Sequence, residues 1–378
     1  MGAGMTALDA FRAAARQWLL DNVPHEPAPI DGPESRDYAL AWQRRMASGG
    51  WTGLTWPKDY GGRALSVAEQ IVWFEEYAAA RAPSTHDASF VAVNHAGPTL
   101  IACGTPEQKQ AHLPRILAGE VIWCQGFSEP GAGSDLAGIR TRATVDGDML
   151  VVNGQKIWSS YADIADFQEL LVRTDPAAAR HAGLSWVICP MDTPGITVRP
   201  IRTMAGPRKY AEVFYDDVRI PLANVVGGLN NGWKTAMSTF AFERGTASLA
   251  LQILLMHKVE ALIAACPQER AALRDELARL RADSLALRAM SYRFAIDSEA
   301  GLPGAEGSII RLYFAELGQR VSAAAIRLYG IADPDILAPH GWGYDYLDAF
   351  SETIAGGTAE IQRDLIGERV LGLPRGAR

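Results

Sequence analysis

Apolar positions recur at helical spacing over residues 5–22, where Leu8, Phe11, Ala14, Ala15, Trp18 and Leu19 line one side between charged residues. A Pro-rich break follows at 24–33, and helical spacing returns from Tyr38 to Ser48. Gly and Pro turns then run to Gly62. Ser66 with Glu69 three residues on forms a capping box for a helix that carries Ile71, Phe74 and Tyr77. Thr105-Pro-Glu-Gln starts another helix, with Thr as cap and Pro at the first helical position, running to about Leu117.

From Glu120 the period changes. Short β-rich runs occupy 121–126, 140–145, 150–152, 169–173, 184–189, 196–200 and 211–218. Turn signals such as Asp146-Gly and Asn153-Gly separate them. After Asn231-Gly the spacing is helical again, over 233–264, 268–298, 307–328 and 358–371, each stretch suited to a helical bundle. The pattern therefore predicts an α+β multidomain chain: a helical domain over 1–119, a β domain over 120–229 and a helical domain over 230–378.

Composition narrows the chemistry. The 378 residues are 48% hydrophobic and 21% charged, ordinary for a soluble globular protein. A formal net charge of −7 does not favour nucleic acid, whose binders are basic. Cys103, Cys124, Cys189 and Cys266 are widely spread, with no zinc-ligand spacing, and read as free thiols of a reducing compartment. No apolar run has the form of a signal peptide or a bilayer span, so the expected location is cytoplasmic.

The most informative stretch is Trp123-Cys-Gln-Gly-Phe-Ser-Glu-Pro-Gly-Ala-Gly-Ser-Asp-Leu136, followed by Val152-Asn-Gly-Gln-Lys-Ile-Trp158. The first runs a hydrophobic strand into a turn rich in Gly, Ser and Pro. Such a turn offers hydroxyls and backbone N–H groups, and its glycines allow close approach to a phosphate or heterocycle. The second brings an indole beside it. In this order and spacing the two resemble the flavin-binding middle domain of the acyl-CoA dehydrogenase family. Further segments extend the resemblance over nearly the whole chain: Trp51-Thr-Gly-Leu-Thr-Trp-Pro57, Tyr60-Gly-Gly62, Gly104-Thr-Pro-Glu-Gln-Lys109, Asp216-Asp-Val-Arg-Ile-Pro221, Gly232-Trp233, Gly356-Gly-Thr-Ala-Glu-Ile-Gln-Arg363 and Glu368-Arg-Val-Leu-Gly-Leu-Pro374.

The resemblance implies an N-terminal helical domain, a middle β-barrel and a C-terminal four-helix bundle, with FAD bound between them and a neighbouring subunit. It implies α,β-dehydrogenation of an acyl-CoA thioester in lipid metabolism, with fatty acid or steroid degradation as the setting. The family's usual base, a Glu directly before Gly-Thr, is replaced here by Gly356. Glu243, in Phe242-Glu243-Arg244, matches an alternative placement of that base, and Phe240, Ala241 and Phe242 beside it favour a pKa raised by desolvation.

By the same carry-over, Gln125, Phe127 and Ser128 line the isoalloxazine. Gly133 and Ser134 belong to the cofactor turn, with Ser134 near the pyrophosphate or the CoA portion. Trp158 stacks on the flavin, and Ser160 bonds near N5 or the pyrimidine edge. Thr358 and Glu360 approach phosphate and ribityl groups, Glu360 standing where relatives carry Gln or Glu. Gly356 offers its amide N–H to the thioester carbonyl. Arg244 is substrate-side or structural.

A second departure is that 257–281 holds no Phe-Gly motif of the kind that reaches a neighbouring subunit's FAD. That texture matches a bacterial branch acting on bulky CoA thioesters and often assembled from two different chains. The expected partners are an acyl-CoA, an electron-transfer flavoprotein as acceptor, and other chains in a homo- or hetero-oligomer, dimer or tetramer. The competing readings are a half-catalytic subunit of a heteromeric enzyme and a flavoprotein oxidase or monooxygenase on the same scaffold.

Overall fold

The computed structural model describes residues 6–243, 246–299, 304–330, 336, 338 and 340–374, without the side chains of 242, 243 and 247. Along the chain the helices are α1 (Ala7–Asn22), α2 (Gly32–Ser48), α3 (Val67–Ala79), α4 (Gly97–Cys103) and α5 (Pro106–Leu117). The strands follow: β1 (Trp123–Gly126), β2 (Arg142–Asp146), β3 (Met149–Ser160), β4 (Phe167–Arg173), β5 (Leu184–Pro190), β6 (Ile196–Ile201), β7 (Tyr210–Pro221) and β8 (Val225–Val226). The chain then returns to helix: α6 (Gly232–Glu243), α7 (Leu249–Ala265), α8 (Ala271–Glu299), α9 (Gly307–Tyr329), α10 (Trp342–Glu352) and α11 (Ala359–Leu365). Helices α1, α3 and α5 each begin with a closed capping box, Thr6 with Asp9, Ser66 with Glu69 and Thr105 with Gln108. Each box satisfies orphan N–H groups that otherwise face water.

Packing divides the chain into two compact units. One holds residues 24–65 and 83–243. Its β-sheet runs in the order β6-β7-β3-β2-β4-β5-β8, with β1 paired in parallel to β4. Strands β4 and β5 are buried on both faces. Leu170, Val172, Val187 and Cys189 pack into one apolar cluster, while Leu171, Trp186 and Ile188 pack into another with Val91, Leu100, Leu113, Ile116 and Ala236 of the helical layer. That double burial explains their near-continuous hydrophobic sequence.

Three expectations are corrected here. The sheet is open rather than a closed barrel among the described residues: β8 has only two residues and pairs with β5, so nothing joins it to β6 at the far edge. Asn153-Gly is not a turn, because β3 continues to Ser160 with a bulge at Val152/Gly154. Gly154 is required there by close approach: a Cβ would sit 2.6 Å from Thr141 Oγ1, and φ is +150°. The single helix expected over 233–264 is two, α6 and α7, with a 3₁₀ turn at Thr246–Ser248 between them.

The other unit holds residues 1–23, 66–82 and 244–378. Glu76 of α3 is almost fully buried and receives Arg12 at 2.8 Å and Arg16 at 2.8 Å from α1. Its neighbour Glu75 receives Arg12 at 2.7 Å and the Tyr292 hydroxyl of α8 at 2.7 Å. The core is Leu255, Val259 and Leu262 of α7, Leu277, Leu280 and Leu287 of α8, and Leu317 and Val321 of α9. These spacings of three, four and seven put each set on one helix face. No described helix is long and apolar enough to cross a membrane.

Leu280 is fully enclosed in this core. Leu280→Ala is expected to destabilise the unit by about 2–5 kcal/mol through lost transfer energy and a residual cavity. Urea denaturation checks this; an unchanged midpoint would show that the α8 core is not as packed as described.

Candidate functional site

Strand β1 and the turn after it carry the first set of predicted site residues. Gln125 is half-buried, and its Nε2 donates to Glu169 Oε1 at 2.7 Å. Glu169 is fully buried and lies 3.2 Å from His95 Nδ1. Phe127 is a core residue, with its ring edge-on to Phe240 of α6 at 5.7 Å. Ser128 is half-buried and accepts the Ile157 N–H through its carbonyl at 2.9 Å. Beyond it the chain folds back tightly, Glu129 and Ala132 exchanging backbone bonds of 3.1 and 3.0 Å. Gly133 and Ser134 are exposed, and a Cβ at Gly133 would meet nothing within 4 Å.

The turn is pinned from below. Lys156 of β3 is fully buried, and its ammonium donates to Glu129 Oε1 at 2.9 Å and to the Phe127 carbonyl at 3.0 Å. The Glu129 carboxylate also accepts the Arg140 N–H at 2.7 Å and the Thr141 N–H at 2.8 Å. Burial alone would raise the Glu129 pKa, but Lys156 and these N–H groups outweigh it and hold the carboxyl below its ordinary value. Burial pulls Lys156 down to about 8 against the opposing pull of Glu129, so the pair is charged at neutral pH. The arrangement ties the two sequence motifs to each other, Glu-Pro-Gly to Asn-Gly-Gln-Lys. Both residues stand inside the motifs, yet the sequence alone assigns neither a role; the usable signal is an acid in one motif and a lysine in the other.

Arg173 fixes the far end of the same turn. Its guanidinium donates to the carbonyls of Ala137 at 2.8 Å and Ile139 at 3.2 Å, and to Arg180 and Ala182 at 3.2 and 3.3 Å. An Arg180–Asp135 ion pair joins the two loops next to Ser134.

Strand β3 ends in strained backbone. Its register against β7 slips between Lys156 and Ser159, and Trp158 in the slip has φ +63°. Tyr161 follows at φ +58°. Bulky side chains rarely adopt this left-handed region, and such strain gathers at functional sites. The result is an indole 58% exposed beside Tyr210, its ring centroid 6.2 Å away, while Trp123 and Trp186 of the same unit are fully enclosed. Ser160, half-buried, closes the strand. An outward indole and an open glycine turn with its N–H groups suit a flat ring system that is apolar on its face and polar at its rim. In that sense the residues present fit a flavin.

Of the remaining predicted residues, Glu243 belongs to the same unit, and Gly356, Thr358 and Glu360 belong to the other. Gly356 is exposed at φ +63°, a left-handed backbone that glycine adopts without strain. Thr358 caps α11, its Oγ1 accepting the Ile361 N–H at 3.3 Å. Glu360 is exposed in the first turn of α11, with its carboxyl held below the ordinary value by backbone and Thr358 hydrogen bonds. Glu243 is the last residue of α6, and its side chain lies outside the described set. Arg244 lies outside the described residues.

Comparison with known proteins covers the chain from end to end. The acyl-CoA dehydrogenase N-terminal, middle and C-terminal domain profiles match residues 6–120, 124–218 and 230–371. The chain is 39% identical over 394 residues to acyl-CoA dehydrogenase IpdE1 of Mycobacterium tuberculosis, covering 99% of this chain and 100% of that one. It is 36% identical to FadE26 of the same organism, over 88% of each. Among solved structures, the Tcur3481–Tcur3483 steroid ACAD superposes with a TM-score of 0.86 at 33% identity over 98% of both chains. The ChsE4–ChsE5 complex of M. tuberculosis gives 0.81 at 33% over 100% of both.

Lys156→Met is expected to destabilise the protein by about 3–5 kcal/mol, because it strands a buried carboxylate. The double variant with Glu129→Gln should recover most of that loss, and urea denaturation separates the two. Since the folded carboxyl titrates below its unfolded value, its contribution is full above the unfolded pKa and is lost as pH falls through the folded one. Glu129→Gln should therefore lose less stability on acidification than the wild type. A Lys156→Met single variant as stable as the wild type would contradict the pinning role.

Proposed function

The chain belongs to the acyl-CoA dehydrogenase family, FAD-dependent enzymes that desaturate acyl-CoA thioesters, and on that premise we propose that Glu243 is its catalytic base and a bulky, steroid-type acyl-CoA its substrate. The observation that carries the base assignment is the left-handed glycine at 356. That position has no side chain to take a proton, and an alternative carboxylate stands at Glu243. Phe240, three residues before Glu243 on α6, packs on Phe127 next to the turn after β1, which supports Glu243 lying near that turn.

FAD, when bound, supplies the two-electron acceptor for the β-hydrogen. The α-proton passes to the Glu243 carboxylate, the Cα–H electron pair forms the Cα=Cβ bond, and the β-hydrogen leaves with its pair. As the α-proton departs, charge builds on the thioester oxygen, and the Gly356 N–H is a donor suited to it. In this reading Gln125, Phe127, Ser128, Gly133, Ser134, Trp158, Ser160, Thr358 and Glu360 are the flavin-side residues. Arg244 is the substrate-side arginine. An electron-transfer flavoprotein is the acceptor in this reading.

The steroid assignment rests on relatives. The Tcur3481–Tcur3483 protein, 33% identical over 98% of both chains, is named a steroid ACAD. Assembly with a related chain rests on two points: the absent Phe-Gly motif in 257–281, and two structural relatives whose names each pair two proteins.

Glu243→Gln is expected to retain fold and flavin absorbance and to lose roughly 10²–10⁴-fold in turnover, the usual worth of a general base. A dye-reduction assay with short, branched, long and steroid side-chain acyl-CoAs checks this; a near-normal rate in the variant would refute the assignment. Trp158→Ala should lower the FAD retained after dialysis, since it removes the exposed ring contact. Full retention would return Trp158 to a purely structural role. Light scattering on the chain alone and co-expressed with a related dehydrogenase chain is expected to give a dimer or tetramer, and a fully active monomer would contradict assembly.

A further inference from the structure

The turn between α10 and α11 is held by side chains that grip its carbonyls. Gln362 of α11 is 1% exposed, and its Nε2 donates to the Gly356 carbonyl at 3.0 Å and the Gly357 carbonyl at 3.2 Å. Arg311 of α9 donates through Nη2 to the carbonyls of Ala355 at 2.9 Å and Glu352 at 2.8 Å, and through Nη1 to the Glu352 carboxylate at 2.7 Å. Three successive carbonyls, 355 to 357, are thus drawn onto fixed donors. The amide orientation of Gln362 is set by chemistry, because the reversed amide would press its oxygen against two carbonyl oxygens.

This grip has a geometric consequence. In a trans peptide the N–H points opposite to the C=O of the preceding residue, and the described chain has no cis bond. With the Ala355 carbonyl turned to Arg311, the Gly356 N–H points away from Arg311. With the Gly356 carbonyl turned to Gln362, the Gly357 N–H points away from that buried amide. Both glycines are left-handed, at φ +63° and +92°, and Gly356 is exposed. A Cβ at Gly357 would lie 2.6 Å from Gln362 Nε2, so the grip also requires glycine there.

Only one end of the Gln362 amide is used. Its Oε1 is buried with no hydrogen-bond partner. An unmet buried acceptor costs about 1–3 kcal/mol, whereas an apolar residue of the same size carries no such penalty. What the residue contributes comes through Nε2.

We propose that Gln362 and Arg311 are positioning residues for the reaction: they aim the Gly356 N–H, with that of Gly357 beside it, at the thioester oxygen of the bound acyl-CoA. The proposal rests on the dehydrogenase reading above. A preorganised donor counts only when held in register with the oxygen that gains charge, and a displacement of about 1 Å loses as much as 10²-fold in rate.

The test uses the enzyme in its active assembly and the variants Gln362→Leu, Arg311→Lys and Gly357→Ala, the last displacing the Gln362 amide by steric conflict. The probe is propanoyl-CoA labelled with ¹³C at the carbonyl, small enough that the shape of the acyl pocket does not decide binding. In the wild type, difference infrared spectroscopy should show the bound carbonyl stretch moved to lower frequency than in free propanoyl-CoA. In each variant it should return toward the free value, kcat should fall about 10–10²-fold, and FAD content and KM should change little. Arg311→Lys, a change at a partly exposed side chain, keeps the test informative should Gln362→Leu misfold. A folded Gln362→Leu or Arg311→Lys enzyme with wild-type kcat and wild-type carbonyl frequency would overturn the proposal alone. A wild type that neither shifts the carbonyl nor oxidises any acyl-CoA would overturn the dehydrogenase reading with it.

Discussion

The buried Lys156–Glu129 pair is the constraint on which the turn after β1 and its place beside β3 depend. A fully enclosed ammonium and a nearly enclosed carboxylate are tolerated only when each satisfies the other, and here they do so with three backbone groups added. The pair fastens the turn after β1 to β3. It thereby sets where the open glycine turn stands relative to the bulge that turns Trp158 outward. Neither motif fixes this relation by itself.

The turn between α10 and α11 is held by a different device. At Gly356 and Gly357 no ion pair is buried. Neutral and cationic donors grip the carbonyls and leave the opposing N–H groups outward. With glycine at 356 the turn takes a left-handed course without strain. Glu243 keeps a carboxylate available elsewhere in the chain.

Much of the fold is legible in the sequence. Helix starts are marked by Thr6, Ser66 and Thr105, whose capping chemistry is local and needs no tertiary context. The β domain shows through its change of period. What the sequence hides depends on contacts distant along the chain. Asn153-Gly resembles a turn, yet Gly154 is there because Thr141 approaches it across the sheet. Helix α10 and the irregular π-helical turn at Val91–Ala96 carry no such local mark; in the latter, His95 is paired with Glu169 from a strand 74 residues on. Of the site, the glycines, serines and Trp158 are visible as motif. The roles of Glu129, Lys156, Arg173 and Gln362 are not, because a buried polar residue announces its partner only once the chain is folded.

The most direct measurement of the central claim is an anaerobic half-reaction. The purified assembly, mixed with a steroid side-chain acyl-CoA in the absence of any acceptor, should lose its oxidised-flavin absorbance and yield one α,β-unsaturated acyl-CoA per flavin reduced. Flavin that stays oxidised with short, branched, long and steroid-type acyl-CoAs alike, in a preparation that holds its full complement of FAD, would contradict the account.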